Sequence, residues 1–375
     1  MLPMAEIKVM APLALFDYAA IWAGTANANV RAVPRQRWDQ EMEVFHPRWL
    51  YTPGAGALNT VYLVASLLPK ISRLRRGYRF ELIDAHFGHP TAAAAALLSA
   101  AFHCPFVVTL RGDETRHATY ALRRFWMKWA LRRACRVITV SERLRQFVIG
   151  LGVASGRVCT IPNGIDARIY FQRDRAEARA KHRIPENRLM LLSAGYLIER
   201  KGHHRVIRAV AALRRQGIAV ELWIVGGPGR EGRYESTLHE LVGEFALEPY
   251  VHFAGNVPAE VLAEYMSATD VFCLASNREG WPNVVNEALG CGAPVVASDV
   301  GGVPDLIPSP EYGTVVPIDD QAALESALRS ALLKTWNRPA IAAWGQSRSW
   351  EQVAGEVIRQ AHQGIVENRR LSEVS

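Results

Sequence analysis

Short apolar runs alternate with segments of helical spacing along the whole chain. Runs typical of buried strands lie at residues 80–86, 104–110, 189–195 and 219–226, and each is followed by a segment with apolar residues every three or four positions. Strands that alternate with helices in this way are typical of βαβ units. The pattern therefore predicts an α/β fold built on parallel sheets.

The series of strands and helices restarts once, at residue 189. The segment before it, residues 158–188, holds a strand, a Pro-Asn-Gly-Ile-Asp turn and a charged stretch. A single hydrophobic core stops growing at about 250 to 300 residues, and this chain has 375. We therefore predict two Rossmann-like domains, at residues 1–165 and 166–349. An amphipathic helix at residues 350–375 is compatible with either domain, including a return to the first.

Composition argues against several classes of protein. No apolar run reaches the roughly 20 residues of a transmembrane helix, and the first residues lack the features of a secretory signal. The five cysteines are scattered and form no CxxC pair, so they indicate neither a disulfide framework nor a zinc site. We expect a cytoplasmic protein without a metal site.

Basic residues are concentrated in the first half of the chain. Residues 1–165 hold 21 Lys and Arg against 10 Asp and Glu, a net charge of +11, whereas residues 166–375 hold 23 against 26, a net charge of −3. This asymmetry suggests that the first half meets something anionic: nucleic acid, an acidic membrane surface or a phosphate-bearing substrate.

The most specific stretch of the sequence is EGWPNVVNEALGCGAPVVASDVGG, residues 279–302. Pro282 suits the first turn of a helix, and Gly292 followed by Pro294 suits its end. We therefore predict a helix from about Pro282 to Cys291. The free N–H groups at its N-terminus favour a diphosphate.

Two glutamates flank that predicted helix start. Glu279 lies just before it and Glu287 about one turn inside the helix. Carboxylates at these places would hold hydroxyls on the two sides of a diphosphate, the sugar at one end and the ribose at the other. On spacing alone an equally good interpretation makes Glu279 a favourable N-terminal charge and Glu287 a solvated helix residue.

A second candidate is GYLIERKG, residues 195–202, between a strand and a helix. Arg200 and Lys201 fall at the predicted start of that helix, where cations oppose the helix dipole. A diphosphate would compensate them, and two cations there would stabilise the charge of a departing nucleoside diphosphate. The alternative is a solvated Arg-Lys pair.

A third candidate is DAHFGHP, residues 84–90, where a strand ends and a helix begins. Because ligand crevices lie at the carboxyl ends of parallel strands, His86 is placed to enter one. A lone histidine is more often packed or capping, as we expect for His89. The glycine-rich residues 225–232 are a weak phosphate signal, and they lack the GxGxxG spacing of nicotinamide enzymes.

Together these features resemble the retaining glycosyltransferases of family four. The resemblance covers nearly the whole chain and rests on the Glu-x7-Glu pair, the Arg-Lys pair and the motifs VGGPG, HFAGNVP, IPNGID, TLRGDE and DAHFGHP. HPRWLYTPG and TLRGDE are closest to the polysaccharide and teichuronic-acid branch. The family implies a GT-B fold, in which two Rossmann-like domains face each other across a cleft.

The resemblance also implies roles for individual residues. Glu279 acts on the donor sugar, and Glu287 binds the ribose. Arg200 and Lys201 bind the diphosphate. His86 lies near the reacting sugar, and Arg111 belongs to the acceptor side. The other donor-binding positions are Gly226, Gly227, Asn256, Val257, Gly280, Trp281, Pro282 and Asn283.

The implied reaction moves a sugar from a UDP- or GDP-sugar to a glycan or lipid-linked acceptor in cell-surface polysaccharide synthesis. It retains the anomeric configuration and needs neither metal nor cofactor, and the chain has no Asp-x-Asp pair of the manganese-dependent type. Arg200, Lys201 and the N–H groups of residues 280–283 would meet the leaving-group charge. Two alternatives remain: a sugar-nucleotide enzyme that does not transfer, such as an epimerase or a phosphorylase, and a catalytically weak nucleotide-sugar-binding protein.

Residues 120–136, YALRRFWMKWALRRACR, mix basic residues with aromatic ones on a predicted helix. This composition suits the interface of an anionic membrane, so we expect a peripheral protein at the inner membrane face. The alternative is an ordinary amphipathic helix whose tryptophans face the core. We expect no nucleic-acid partner, since no recognised binding module accompanies the charge.

The start of the chain departs from the family pattern. Members usually begin with a strand, a glycine-containing loop and a helix, followed by the strand that resembles residues 6–12 here. The stretch after it holds one glycine, Gly24, and no strand-loop-helix pattern. We therefore expect the N-terminal domain to lack its first strand, with weak activity or poor solubility as a consequence. Either the true start codon lies upstream or the gene has lost this unit.

Overall fold

The computed structural model describes residues 5–15, 30, 32–39, 41–52, 56, 58–229 and 234–374, with the backbone alone after residue 367. The chain divides into two compact units. Unit 1 is Met1–Ile161 together with Ala354–Ser375, and unit 2 is Pro162–Val353. The division falls shortly before the predicted domain boundary at residue 165.

Unit 1 contains nine described strands in three sheets. They are β1 (Lys8–Met10), β2 (Leu13–Ala14), β3 (Gln36–Asp39), β4 (Met42–Phe45), β5 (Arg48–Trp49), β6 (Ile83–His86), β7 (Phe106–Leu110), β8 (Arg136–Thr139) and β9 (Val158–Thr160). Strands β6 to β9 form a parallel sheet in chain order. Strand β4 pairs in parallel with β1 and antiparallel with β3, and β2 pairs with β5.

The described helices of unit 1 before residue 161 pack around the parallel sheet. They are α1 (Leu58–Leu74), α2 (Ala93–Phe102), α3 (Glu114–His117), α4 (Ala121–Leu131) and α5 (Glu142–Gly150). Every residue of β7 is buried, as expected for a central strand of a parallel sheet. The alanines of the first turn of α2, residues 93–96, are buried too, because small side chains let the helix lie close to the neighbouring elements.

The expectation of a missing first strand falls largely outside the described residues. Residues 1–4 and 16–29, which flank the predicted strand at residues 6–12, are not described. Among the described strands, β1 lies at the edge of its three-stranded sheet. The absence of a first strand therefore stays a prediction.

Unit 2 is built on a six-stranded parallel sheet. Its strands are β10 (Leu189–Ala194), β11 (Val220–Val225), β12 (Val251–Gly255), β13 (Val271–Leu274), β14 (Val295–Ser298) and β15 (Gly313–Val316). Their order is β12-β11-β10-β13-β14-β15. Successive strands run outward from β10 on one side and from β13 on the other, so the switch point of the sheet lies between β10 and β13.

Helices cover the sheet of unit 2. They are α6 (Arg175–Lys181), α7 (His203–Arg215), α8 (Glu235–Glu244), α9 (Ala259–Ala268), α10 (Asn283–Gly290), α11 (Val303–Leu306), α12 (Gln321–Leu333) and α13 (Arg338–Gly345). Alternate residues of β10 enter two separate apolar cores: Leu191 packs with α7, α8 and α12, and Leu192 packs with α9 and α10. This two-faced burial explains why the strand is apolar throughout.

The last helix, α14 (Trp350–Val374), returns the chain to unit 1. Gly364 packs against Cys135, where an added Cβ would lie 2.6 Å from the sulfur. Glu367 forms an ion pair with Arg136 of β8. Across the ranges that the structure describes, no helix combines the length and apolar composition that spanning a membrane requires.

Candidate active site

The loop after β10 carries the Arg200–Lys201 pair. Residues Glu199–Lys201 form a short 3-10 turn, and helix α7 begins only at His203. Gly202, with φ +74°, ends the turn in the left-handed conformation that favours glycine. The expectation that both cations occupy the start of the helix is therefore wrong: they precede it in a separate turn, so they oppose its dipole less directly.

The loop after β13 meets this turn at the switch point. The amide of Asn277 donates to the carbonyl of Arg200 at 3.1 Å, and a Cβ added to Gly202 would lie 1.9 Å from the carbonyl oxygen of Ala275. Only glycine permits this approach. The two loops are thus held together by backbone contacts.

Glu279 joins the two loops through its side chain. Its carboxylate accepts hydrogen bonds from Lys201 Nζ at 2.7 Å and Ser276 Oγ at 2.8 Å. Arg200 Nη1 lies 3.7 Å from the second carboxylate oxygen and donates to the carbonyl of Arg278 at 3.2 Å. The structure therefore brings together Glu279, Arg200 and Lys201, and Glu279 is more than an N-terminal charge on a helix.

Gly301 and Gly302 support the loop that carries Glu279. The amide of Gly302 donates to the carbonyl of Gly280 at 2.8 Å, and a Cβ added to Gly302 would lie 2.3 Å from the Trp281 ring. Gly301 (φ +52°) approaches the carbonyl oxygens of Glu279 and Gly280 as closely. Sequence reasoning missed the role of this glycine pair, although VGG ends the most specific stretch of the sequence.

Helix α10 begins directly after that loop. It runs from Asn283 to Gly290 with Pro282 before it, which confirms the predicted helix to within one residue at each end. The Asn283 side chain accepts a hydrogen bond from Asn163 Nδ2 at 2.9 Å. Asn163 belongs to the IPNGID motif, so this motif braces the start of α10, a contact that the sequence did not indicate. The first N–H groups of the helix lack partners within it.

Glu287 lies one turn inside α10 and is half-buried. Burial raises the pKa of its carboxyl to about 7. The pKa of Tyr170 is also raised, first by burial and then by the charge of Glu287. Among the described residues none donates a hydrogen bond to Glu287, and it does not contact Glu279, Arg200 or Lys201. The carboxylate is therefore partly shielded from solvent and not a fully solvated helix residue.

Gly226 and Gly227 turn the chain after β11, next to Gly195. A Cβ added to Gly226 would lie 1.9 Å from the carbonyl oxygen of Gly195, and one added to Gly227 would lie 2.4 Å from the Asn256 side chain. Asn256 is exposed, and Val257 packs partly buried against the core. The ends of β10, β11 and β12 thus lie close together, with Trp281 on the opposite side of the switch point.

The loop that carries Glu279 also holds Trp281, whose indole ring has a polar N–H group. Its indole Nε1 is buried and has no hydrogen-bond partner in the described part of the chain. A buried N–H donor without a partner costs free energy.

In unit 1 the structure brings His86 and Arg111 together. His86 ends β6, and Arg111 directly follows β7. Arg111 Nε and Nη2 lie 3.4 and 3.3 Å from His86 Nδ1, and Asp84 lies 3.7 Å from the other ring nitrogen. His89, by contrast, is buried, and burial lowers its pKa to about 4, in line with a packed histidine.

The basic segment forms helix α4 over Ala121–Leu131. Met127, Ala130 and Leu131 are its buried residues, so the core is not made by the tryptophans. Phe125 is 61% exposed, and with Arg124 and Lys128 it lines an open cavity of about 350 Å³. The side chains of Arg124 and Lys128 form no hydrogen bond or ion pair with any described residue.

Two family models match this chain in sequence. Residues 174–346 match the glycosyl transferases group 1 model, and residues 30–168 match glycosyltransferase family 4. The glycosyltransferase TuaC of Bacillus subtilis (strain 168), named for teichuronic acid biosynthesis, is 30% identical over 74% of this chain and 68% of its own length. The chain belongs to glycosyltransferase family 4.

Further similarities fit this family. A GDP-mannose-dependent alpha-(1-6)-phosphatidylinositol monomannoside mannosyltransferase of Mycolicibacterium smegmatis is 32% identical over 46% of each chain, so the chain spans about half of that relative. HepE of Anabaena, solved with UDP and with UDP-glucose, superposes with a TM-score of 0.68 at 22% identity, over 89% of this chain and 85% of HepE. This family 4 glycosyltransferase thus has the GT-B fold.

The described residues of this glycosyltransferase hold no group of three or more His, Cys, Asp or Glu side chains placed to bind a metal ion.

Proposed function

We propose that the chain transfers a sugar from a UDP- or GDP-sugar to a glycan or lipid-linked acceptor in cell-surface polysaccharide synthesis. The transfer retains the anomeric configuration and needs no metal and no cofactor. One observation carries the proposal: Lys201 and Glu279 join two loops at the switch point of the sheet, beside the N-terminus of α10. Cations, a carboxylate and free N–H groups are what a nucleoside diphosphate sugar needs.

The names of similar proteins support the donor and acceptor classes. HepE was solved with UDP and UDP-glucose, and the mannosyltransferase of Mycolicibacterium smegmatis uses GDP-mannose on a phosphatidylinositol mannoside. TuaC is named for teichuronic acid biosynthesis. We extend these donor and acceptor classes to the present chain because it contains both the Glu-x7-Glu pair and the Arg200–Lys201 pair.

Each site residue has one role in this proposal. Arg200 and Lys201 neutralise the diphosphate, and Glu279, fixed by Lys201, binds the donor sugar. Glu287 binds the ribose. When the bond between the anomeric carbon and the β-phosphate oxygen breaks, the nucleoside diphosphate takes the electron pair. The acceptor hydroxyl bonds to the anomeric carbon and loses its proton.

On the acceptor side, His86 and Arg111 contact the reacting sugar and the acceptor. Arg111 supplies a fixed positive charge, and His86, which is 44% exposed at its side chain, is open to a ligand. Positioned charges of this kind are commonly the largest single contribution to rate enhancement.

A donor panel tests the proposal. The full chain is incubated with UDP-glucose, UDP-N-acetylglucosamine and GDP-mannose, with and without EDTA, and the release of UDP or GDP is followed. Release with one donor, unaffected by EDTA, is the expected result. An epimerase would change the nucleotide-sugar without releasing nucleotide, and a binding protein would give heat in calorimetry without turnover. Either outcome overturns the proposal.

We further propose that α4 docks on an anionic membrane, at the inner face, where a lipid-linked acceptor is held. The support is a pair of cations, Arg124 and Lys128, that have no ion pair within the described residues and lie next to the exposed Phe125. Basic and aromatic side chains on one helix face combine attraction to anionic headgroups with shallow insertion. From residue 115 to residue 141 the chain contains no acidic residue.

A further inference from the structure

Glu114 is a carboxylate that the proposed chemistry leaves without a role. It begins the short helix α3, four residues after β7, and none of its surface is exposed. Burying a charged group is costly unless hydrogen bonds compensate it. A fully buried carboxylate therefore needs hydrogen-bond donors around it.

Backbone N–H groups from two loops surround this carboxylate. Its Oε1 accepts from the amides of Gly88 at 3.1 Å and Arg111 at 3.4 Å, and its Oε2 accepts from Gly112 at 2.6 Å. These hydrogen bonds lower the pKa of Glu114, but burial outweighs them and the pKa lies above the usual value. Within the part of the chain that the structure describes, the compensation is thus made by backbone dipoles and not by a contacting cation.

Each loop held by Glu114 carries one acceptor-side residue. Gly88 lies two residues after His86, and Arg111 is itself one of the donors. The Gly88 position is closely packed, since an added Cβ would lie 2.9 Å from Glu114 Cγ and 2.6 Å from Met127 Sδ. The loops that follow β6 and β7 therefore share one fixed point beneath the His86–Arg111 contact.

We propose that Glu114 is a positioning residue for transfer: by holding both loops it sets the geometry of His86 against Arg111. This inference rests on the proposed roles of those two residues. Glu114 itself touches no substrate, because it is fully buried. Its effect on the reaction passes through the two loops.

A neutral amide cannot replace this carboxylate. Both oxygens of Glu114 accept from N–H groups, whereas glutamine offers one oxygen and an NH₂ group that is a donor only. In Glu114→Gln one N–H therefore faces another donor, and a loop must shift. Glu114→Asp keeps both acceptor oxygens and the charge on a shorter side chain.

The experiment measures kcat and KM for the donor selected by the panel, as release of UDP or GDP, and the Kd of UDP or GDP by calorimetry. A misplacement of about 1 Å costs roughly 10²-fold in rate, so we expect Glu114→Gln to lower kcat by ~10². Nucleotide Kd should not change, because the donor-side residues belong to unit 2. Glu114→Asp should recover part of the lost kcat.

A double-mutant cycle separates positioning from general stability. In an Arg111→Ala background, Glu114→Gln should have little further effect on kcat, because the contact it positions is already gone. Glu142→Gln is the control: this carboxylate lies in the same unit and accepts from Gln146 at 2.6 Å and Arg145 at 3.0 Å, and it has no hydrogen bond with Gly88 or Arg111 among the described residues. It should leave kcat unchanged.

Two results would overturn the inference. One is a Glu114→Gln variant whose kcat falls only in proportion to its unfolded fraction. The other is full additivity with Arg111→Ala. Failure of the proposed function looks different: His86→Ala and Arg111→Ala would then keep the wild-type kcat whatever Glu114 does. If Glu114→Gln does not fold, kcat is compared between Glu114→Asp and wild type, each corrected for its folded fraction. A kcat of Glu114→Asp below wild type supports the inference, and a kcat equal to wild type overturns it.

Discussion

The side chain of Glu279 links the two loops of the proposed donor site, the loop after β10 and the loop after β13. Its side chain is only 10% exposed, and that of its partner Lys201 only 14%. A half-buried ion pair of this kind differs from a surface pair, because removing one partner leaves the other charge without compensation. A bound diphosphate and Glu279 would both interact with the cations of Arg200 and Lys201.

Lys201→Ala should lower turnover by about 10² or more, since the loss of one charge contact to the transition state commonly has this effect. Steady-state release of UDP or GDP measures it. Arg329→Ala, which removes an exposed cation from α12 of the same unit, is the control. Turnover of Lys201→Ala equal to that of the control would contradict the assignment of Lys201 to the diphosphate.

Glu287 should make stability depend on pH. Its folded-state pKa is about 7 against an ordinary 4.5. Below pH 4.5 it is protonated in both states and contributes nothing; as the pH rises toward 7 the unfolded state ionises first, so the folded state loses stability. One pKa unit corresponds to about 1.4 kcal/mol, so the loss reaches up to ~3 kcal/mol.

The Glu287→Gln variant should therefore be more stable than the wild type at pH 8 and equal to it near pH 4. Urea unfolding of both proteins across this range measures the difference. Glu240→Gln on α8 is the control for replacing a glutamate at an exposed helix position. A stability difference between Glu287→Gln and wild type that does not grow with pH would show that Glu287 is not a buried carboxylate.

At the scale of elements, residues at the two ends of a segment predicted where its helix begins and ends. Pro282 and Gly292 bound α10 because the first suits a helix start and the second takes a positive φ after the helix end. The separate turn before α7 was missed, since the close approach of Ala275 to Gly202 joins two segments that are distant in the sequence. Contacts between distant segments, such as Asn163 with Asn283, leave no periodic signal in the sequence.

Helix α4 should bind anionic vesicles. Each basic residue near an anionic surface contributes about 1 kcal/mol, so the double variant Arg124→Ala, Lys128→Ala should bind vesicles of phosphatidylglycerol and phosphatidylcholine roughly 30-fold more weakly. Co-sedimentation measures this. Binding should also fall with salt, because the Debye length shrinks from about 8 Å at 0.15 M to about 3 Å at 1 M.

The control for α4 removes two exposed arginines from unit 2, Arg208 on α7 and Arg329 on α12, with the same change in net charge. This control should bind vesicles like the wild type. Equal binding of the wild type to neutral and anionic vesicles would contradict membrane docking through charge. Loss of binding in the control as well would place the contact elsewhere than α4.

At the scale of the whole molecule, charge and chemistry are divided between the two units. Unit 1, with its C-terminal segment included, holds 24 Lys and Arg against 13 Asp and Glu, a net charge of +11, and unit 2 holds 20 against 23, a net charge of −3. The proposed donor residues all belong to unit 2, and His86, Arg111 and α4 all belong to unit 1. The repeated βαβ pattern predicted two such units; the pairing order of their strands depends on contacts that no single segment encodes.

This division predicts that residues 162–353 fold alone and bind nucleotide. Unit 2 has its own six-stranded sheet with an apolar core on each face, and its first residues are held by its last ones: Ile165 pairs with Ser349, and Arg348 Nε donates to the carbonyl of Pro162 at 3.0 Å. A domain of about 190 residues can bury enough surface to be stable without a partner.

Calorimetry should give the fragment a Kd for UDP or GDP close to that of the full chain, and Lys201→Ala should weaken both alike. The fragment should release no nucleotide from the donor, because His86 and Arg111 are absent. A fragment that folds but binds far more weakly than the full chain would show that unit 1 contributes to the donor site.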